Sequence, residues 1–447
     1  MNGLKVGGYA MYTSDVQGFL QFVATCPSAF HAVNTAARLL EENSFQPLKE
    51  RDAWSLVPGG KYYVTRNLSS VIAFTMPRAG VGPFRIVASH SDSPVFKLKP
   101  HAESPVADTY LRLNVERYGG MIMSTWLDRP LSIAGRVLVR QEGKLVTRLV
   151  DLGRDAVLIP NLPIHFCRDM NDGYKFNPQV DLLPLYGDGS AKGMLMQEIA
   201  AACGADPADI VGSDLFLYAR TPGTIWGAGN KFFSSPRIDD LECSYTSLAA
   251  FVQAQQAEGH VNVYALFDNE EVGSGTKQGA ASTFLRDVLA RIAAVQAEGE
   301  NTLRALISRS FMVSADNAHA VHPNHPEKYD AENRTYMNGG VVIKHNANQK
   351  YTTDAVSAAI FAEVCRQAGV PVQHFANRSD MLGGSTLGNI ANTQTSMNTV
   401  DIGLPQLAMH SSYETAGVED IPLMIRALTA YYDAQLDVEE DGTFTLN

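Results

Sequence analysis

After Pro236 the sequence settles into an alternation that few folds accommodate, a short apolar run followed by a longer segment with apolar residues at helical spacing, several times over. The spacing predicts a helix over about Asp239 to Gln256, a strand over Val261 to Phe267, a helix over Thr283 to Gln296 and a strand over Phe311 to Ala315. A helix over about Thr353 to Ala368, strands over Val372 to Phe375 and Thr399 to Ile402, and a C-terminal helix from about Asp420 continue the series. Strands and helices that alternate in this way build a mostly parallel sheet with helices packed on it. The predicted fold is therefore α/β, a mostly parallel sheet covered by helices.

The other end of the chain fits the same plan. Residues 71 to 76 and 85 to 90 read as strands, Ser28 to Leu40 as a helix, and Ser14-Asp15 as the cap of a segment through Ala24. Between about residues 100 and 232 the texture changes. Leu111-Arg-Leu-Asn-Val-Glu and Gly135-Arg-Val-Leu-Val-Arg alternate with a period of two, which predicts antiparallel strands, with one helix near Gly193 to Ala202. A chain of 447 residues is long for one core. Residues 1–99 and 233–447 are thus expected to form one α/β catalytic domain, with a β-rich domain, residues 100–232, inserted into it.

Charge and cysteine usage narrow the setting. The net charge of −11 and the lack of a Lys/Arg cluster interleaved with aromatics argue against nucleic acid as a partner. No run of ~18 apolar residues predicts a membrane span. The N-terminus has no apolar core followed by a cleavage site, and the five cysteines are scattered, with no C-x-x-C. Both features point to reduced thiols in the cytoplasm and to no thiolate zinc site.

The chemistry is carried by polar residues at strand ends. His90 ends Ile86-Val-Ala-Ser with Asp92 two residues on, Glu270-Glu271 follow the strand ending at Phe267, and Asp316 ends Met312-Val-Ser-Ala. His410 follows soon after another strand, and Asp239 opens a helix in Ser235-Pro-Arg-Ile-Asp-Asp. Open α/β sheets bind ligands beyond the carboxyl ends of their strands. Singly, each residue has a structural reading: Asp239 an N-cap, Asp316 a turn residue, either histidine a satisfied core residue. Together, two histidines and three carboxylates suit two divalent ions ~3.5–4 Å apart with one carboxylate bridging them. Zn2+ is the expected ion, with Co2+ or Mn2+ able to stand in. One member of Glu270-Glu271 would bind metal while the other stays free as general base, and Asp92 would hydrogen-bond the far nitrogen of His90.

These residues lie in segments that resemble the aspartyl aminopeptidase family of dinuclear zinc exopeptidases: Ser89-His-Ser-Asp-Ser-Pro, Ser235-Pro-Arg-Ile-Asp-Asp, Phe267-Asp-Asn-Glu-Glu-Val-Gly-Ser, Ser314-Ala-Asp-Asn-Ala-His and Leu404-Pro-Gln-Leu-Ala-Met-His-Ser. Val342-Ile-Lys and Arg378-Ser-Asp-Met-Leu-Gly-Gly-Ser-Thr-Leu-Gly match as well, in the family's order, from about residue 20 to 435. The resemblance implies an aminopeptidase acting on N-terminal Asp or Glu of peptides. In it His90, Asp239 and Asp316 would bind one zinc, Asp239 would bridge to a second held by Glu271 and His410, and Glu270 would be the base. It further implies that Lys344 and Tyr351 meet the substrate and that members assemble from dimers into homo-dodecamers. The resemblance gives the inserted domain an oligomerisation or lid role, since His165 resembles a residue that a neighbouring subunit's inserted domain brings near the active site.

Two positions differ from the family pattern: Asp240 stands where many relatives have Asn, and Ser412-Tyr-Glu replaces a stretch often basic, close to the expected substrate pocket. His319 and His322 are assigned to substrate or supporting roles, although a Pro- and Asn-rich turn is an equally good reading of Pro323-Asn-His-Pro. Gly383-Gly-Ser-Thr-Leu-Gly lacks the lysine of a phosphate-binding loop, so its glycines are expected to let backbone N–H groups approach substrate. The competing functions are a broad-specificity aminopeptidase on the same scaffold, a carboxypeptidase or deacylase of the same metal chemistry, and a non-catalytic scaffold protein.

Overall fold

The three central apolar runs are strands buried at every residue: Phe84–His90, Val261–Phe267 and Phe311–Ala315. In the computed structural model, which describes residues 5–6, 9–10, 16–255, 258–295 and 299–446, they lie side by side and parallel. The full sheet has nine strands, in the order Val372–Ala376, Val341–His345, Asn398–Gly403, Phe311–Ala315, Phe84–His90, Val261–Phe267, Ser70–Thr75, Lys61–Arg66 and Gln46–Leu48. Five of its pairings are parallel, and three, toward the two flanks, are antiparallel.

Continuous apolar runs are required because both faces are covered. Val87, Tyr264 and Val313 point into one core, with Ala29–Glu42, Ile238–Gln253 and Asp420–Asp433 packed over them. Ile86, Val263 and Met312 point into the opposite core, under Phe284–Ala293 and Glu300–Ser308. Each fully buried Val, Ile or Met side chain contributes about 1.5–3 kcal/mol relative to exposure, so the sheet centre is the most strongly specified part of the chain.

A second sheet of six strands is antiparallel throughout, in the order Lys144–Asp151, Leu131–Gln141, Ile210–Ala219, Val95–Val106, Tyr110–Tyr118 and Leu185–Asp188. It has its own core, with Phe96, Leu113, Ile133, Val137 and Leu217 packed against Ile199 of the helix Met194–Cys203. The expected boundary between residues 99 and 100 falls inside the strand Val95–Val106. A third sheet of five short strands includes Phe232–Ser235, Glu414–Gly417, Pro405–Leu407 and Ala318–His319. It runs beside the carboxyl edge of the main sheet. The expected cap at Ser14-Asp15 lies outside the described residues.

Candidate metal centre

Parallel register puts the polar strand ends at one edge. His90 is paired with Phe267, and Ala315 with Ile402, so the residues that follow emerge together. Asp316 is drawn in by its backbone: its N–H donates to Ile402 O at 3.0 Å, and a Cβ on Gly403 would lie 2.1 Å from Asp316 O. Only glycine permits that approach. Asp239 arrives from the far side, at a start of Ile238–Gln253 where Asp239 and Asp240 are not yet helical.

Asp239 stands between the two histidines. Its Oδ1 is 3.4 Å from His90 Nε2, and its Oδ2 is 3.4 Å from His410 Nε2. His90 Nε2 is also 3.8 Å from Asp316 Oδ1, and His410 Nε2 is 3.4 Å from Glu271 Oε2. Ligand atoms of His90, Asp239, Asp240 and Asp316 lie within 4.8 Å of one another, as do those of Asp239, Glu271 and His410. Glu270 joins His90 and Glu271 in a third such group but is not grouped with His410. That difference singles out Glu271 as the carboxylate facing the second histidine.

The donor set fits divalent cations. Asp239 Oδ1 and Glu271 Oε1 are buried without a hydrogen-bond partner, a costly state for a carboxylate unless a cation compensates it. Crowding of like charges in the cluster points the same way. Burial alone would lower His410, but Asp239 and then Glu414 outweigh it and hold the imidazole up to about 9. Glu270 and Glu414 are each pushed up to about 8, by burial first and then by neighbouring carboxylates.

An ion held by His410 must displace that ring's proton, and the charge of the ions draws protons off the neighbouring Glu270 and Glu414. All three values lie above the ordinary 4.5 and 6.5, so stability that these groups give a chelated protein is lost as pH rises through about 8 and 9. Bound cations cancel that loss. The melting temperature of chelator-stripped protein should therefore fall from about pH 6 to about pH 9 while that of metal-loaded protein holds. A gap between the two that does not widen over this range, by differential scanning calorimetry, would remove the ions from this cluster.

Two buried carboxylates hold the frame. Asp92 Oδ1 accepts the N–H of Glu270 at 3.1 Å and its Oδ2 that of Glu271 at 3.2 Å. Its expected bond to His90 is modified: the ring Nδ1 is nearest the Asp92 backbone carbonyl at 3.1 Å, with the carboxylate at 3.4 Å. Glu414 does for the other side what Asp92 does here, accepting the N–H of His410 at 2.7 Å and of Asp239 at 3.1 Å. The Ser412-Tyr-Glu stretch was expected at the substrate pocket. Instead Glu414 lies behind the cluster, Ser412 donates to Thr125 O, and Tyr413 Oη donates to Pro222 O. Asp240 Oδ2 accepts the N–H of His90 at 3.0 Å. Burial, then the nearby Asp316 and Asp239, drive Asp240 well above the usual carboxylate range against the pull of His90. A neutral carboxylic acid offers one donor and one acceptor, as an asparagine amide does.

A cavity of about 210 Å3 opens on the cluster, walled by Lys344, Tyr351, His319, Phe375 and the Gly384 to Thr386 segment. Lys344 sits within the strand Val341–His345, one residue type rarely found buried, here only 2% exposed. Its Nζ donates to Asp316 O at 2.8 Å, lies 3.6 Å from Asp316 Oδ2 and 5.3 Å from the Tyr351 ring centroid. His319 is at the cavity mouth, exposed. His322 does not line the cavity; its Nδ1 accepts the N–H of Asn324 inside an exposed turn, which is the structural reading. His165 is exposed on the second sheet's side, beside Ile164 and Phe166, and lines no part of this cavity.

Comparison with known proteins converges on one family. The profile of aminopeptidase I zinc metalloproteases (M18) matches residues 22–432. A probable M18 family aminopeptidase 2 of Clostridium acetobutylicum is 48% identical over 423 residues, 93% of this chain and 97% of that one. One from Pseudomonas aeruginosa is 42% identical over 424 residues, again 93% and 97%. Among solved structures, a chain of the Ape4 and Nbr1 complex superposes with a TM-score of 0.91 at 35% identity, covering 96% of this chain and 87% of that chain. The S. cerevisiae mApe1 dodecamer gives 0.82 at 28%, covering 93% and 95%.

Proposed function

Because the chain belongs to the aminopeptidase I zinc metalloprotease (M18) family, we propose that this aminopeptidase prefers N-terminal aspartate and glutamate and works through two divalent ions with Glu270 as general base. The two-ion reading is carried by Asp239, whose two oxygens are divided between His90 and His410. His90 and Asp316 would complete one ion's ligands, Glu271 and His410 the other's. When bound, such a pair supplies a polarised carbonyl and an acidified water. Glu270 takes that water's proton and returns it to the leaving amine. Asp92 keeps Glu270 and Glu271 apart in role by fixing both their backbones. The cavity of about 210 Å3 beside the cluster would take the substrate's N-terminal side chain, with Gly384, Ser385 and Thr386 on its wall.

Residues from about 100 to 232 form the inserted domain in this reading. Assembly into a homo-dodecamer from dimers, by analogy with the mApe1 dodecamer, would cover the exposed Leu162, Ile164 and Phe166 and bring His165 to a neighbour's active site. No helix among the described residues is long and apolar enough to cross a membrane. The cytoplasmic reading rests on the five scattered cysteines, all free thiols.

Acidic preference rests on Lys344, a buried ammonium at the cavity wall. One observation favours the broad-specificity alternative: the same ammonium is already bonded to Asp316 O, a bond that holds a candidate metal ligand in place. The two roles separate in Lys344→Met. If Lys344 reads the substrate carboxylate, kcat/KM on aspartyl amides falls about 10- to 150-fold, the worth of one hydrogen bond to a charged group, while leucyl amides are hydrolysed as before. Equal losses on both substrates would assign Lys344 to Asp316 and leave a broad-specificity enzyme.

A further inference from the structure

Tyr118 ends a strand of the second sheet, yet its hydroxyl reaches the frame of the metal centre. It donates to Asp92 Oδ2 at 2.6 Å and accepts from Asn269 Nδ2 at 2.8 Å. Both partners govern where Glu270 and Glu271 stand. Asp92 takes both their N–H groups. Asn269, at φ 62°, turns the chain off the end of Val261–Phe267, and its side-chain oxygen is held by Thr276 Oγ1 at 2.8 Å and Gln278 Nε2 at 2.7 Å. The phenol thus ties the carboxylate beneath the two glutamates to the amide at the turn before them.

The chain beyond Tyr118 continues along the same centre. A Cβ on Gly119, at φ +76°, would lie 3.1 Å from Glu271 Cβ, so glycine lets the segment close on that side chain. Ile122 N–H then donates to His410 O at 3.0 Å, and Ser412 N–H to Thr125 Oγ1 at 2.9 Å. Tyr118 to Thr125 therefore touches Glu271 at one end and His410 at the other. These are the two residues that face each other across one metal position.

We propose that Tyr118 is a positioning residue, its hydroxyl holding Asp92 where Asp92 fixes Glu270 and Glu271, so that the second sheet sets both the affinity of the ion facing Glu271 and His410 and the turnover. The inference rests on the two-ion reading above. Partners of this kind change metal affinity or activity about 10- to 100-fold when removed. A packing role alone would lie in the ring, which meets Phe216 edge-on at 5.8 Å between centroids, and phenylalanine preserves that contact.

The test is a Zn2+ titration of chelator-stripped full-length protein against a chromogenic chelator, with kinetics beside it. Tyr118→Phe is expected to weaken one of the two Zn2+ affinities about 10- to 100-fold and to lower kcat by a similar factor, with KM within about threefold. Phe216→Leu, which loosens the ring packing and leaves Asp92 alone, should lower the melting temperature without weakening Zn2+. Replacing Tyr118 by 4-aminophenylalanine restores a donor and should recover most of the affinity. Zn2+ binding by Tyr118→Phe within about twofold of the parent overturns the proposal, as does 4-aminophenylalanine behaving like phenylalanine. Should Tyr118→Phe fail to fold, Asn269→Gly keeps the positive φ and cuts the other half of the link; unchanged Zn2+ affinity there overturns it equally. His410→Ala is run alongside. If it keeps both ions, the two-ion reading fails; if it loses one while Tyr118→Phe binds like the parent, only the role of Tyr118 fails.

Discussion

Glu270→Gln should abolish most turnover while leaving both metal ions in place. Glutamine keeps the length and most of the volume of the side chain but cannot accept the water's proton, and the loss of a positioned general base costs about 10²–10⁴ in rate. The ligand atoms argue for retention of metal: Glu271 is grouped with Asp239 and His410, whereas Glu270 is not. The backbone at this position is held from below by Asp92 through main-chain N–H groups, a contact indifferent to the substitution. Substrate affinity should change little, so the loss falls on kcat. Elemental analysis and steady-state rates on an aminoacyl amide check both halves. Near-parental turnover would exchange the roles of Glu270 and Glu271, and loss of one ion would make Glu270 a ligand.

The candidate ligands were legible in the sequence because of where they stand; of their supports Asp92 was read, and Glu414 and Tyr118 were not. His90, Glu271 and Asp316 sit at or within four residues of the ends of mainly apolar, fully buried strands, and such a run followed closely by a metal-binding residue type is a pattern the eye can find. Strands Val261–Phe267 and Phe311–Ala315 have the predicted bounds for the same reason. The strand Lys61–Arg66 went unread. It lies near the sheet margin with charged residues at both ends, so its apolar run is too short to stand out. The helix expected to reach Gln296 ends at Ala293, and Glu300–Ser308, a separate helix, follows after Gly299. The supporting roles of Glu414 and Tyr118 are not written in one dimension, although Glu414 falls in a stretch that departs from the family pattern. A carboxylate spaced like any surface Glu becomes a support only through long-range burial, and Tyr118 is contributed by a different sheet. The Tyr-Gly-Gly step at 118–120 is the trace that could have pointed to it, since two glycines after a strand often mark a close approach.

Asp239→Asn is the more severe lesion, because one substitution should empty two sites. The amide is nearly isosteric, so the buried position, 3% exposed, need not be repacked. What changes is charge. In the parent the carboxylate presents Oδ1 toward His90 and Oδ2 toward His410, and burial notwithstanding, the two imidazoles hold it well below the usual carboxylate range. Asparagine offers one neutral oxygen in place of two charged ones, and its NH2 must point at one of the histidines, where a cation would have to sit. One ion is therefore left with a neutral oxygen in place of a charged one, and the other would meet a donor. Members of one catalytic unit are not additive, so losing this one should cost about as much as losing the whole, on the order of 10⁴ or more in kcat/KM. The pattern distinguishes it from Glu270→Gln: there rate falls with metal content intact, here metal content falls first and rate with it. Excess Zn2+ should restore little activity. Elemental analysis showing two ions per chain in Asp239→Asn would mean that Asp239 does not bridge, and that His90 with Asp316 and His410 with Glu271 hold their ions independently.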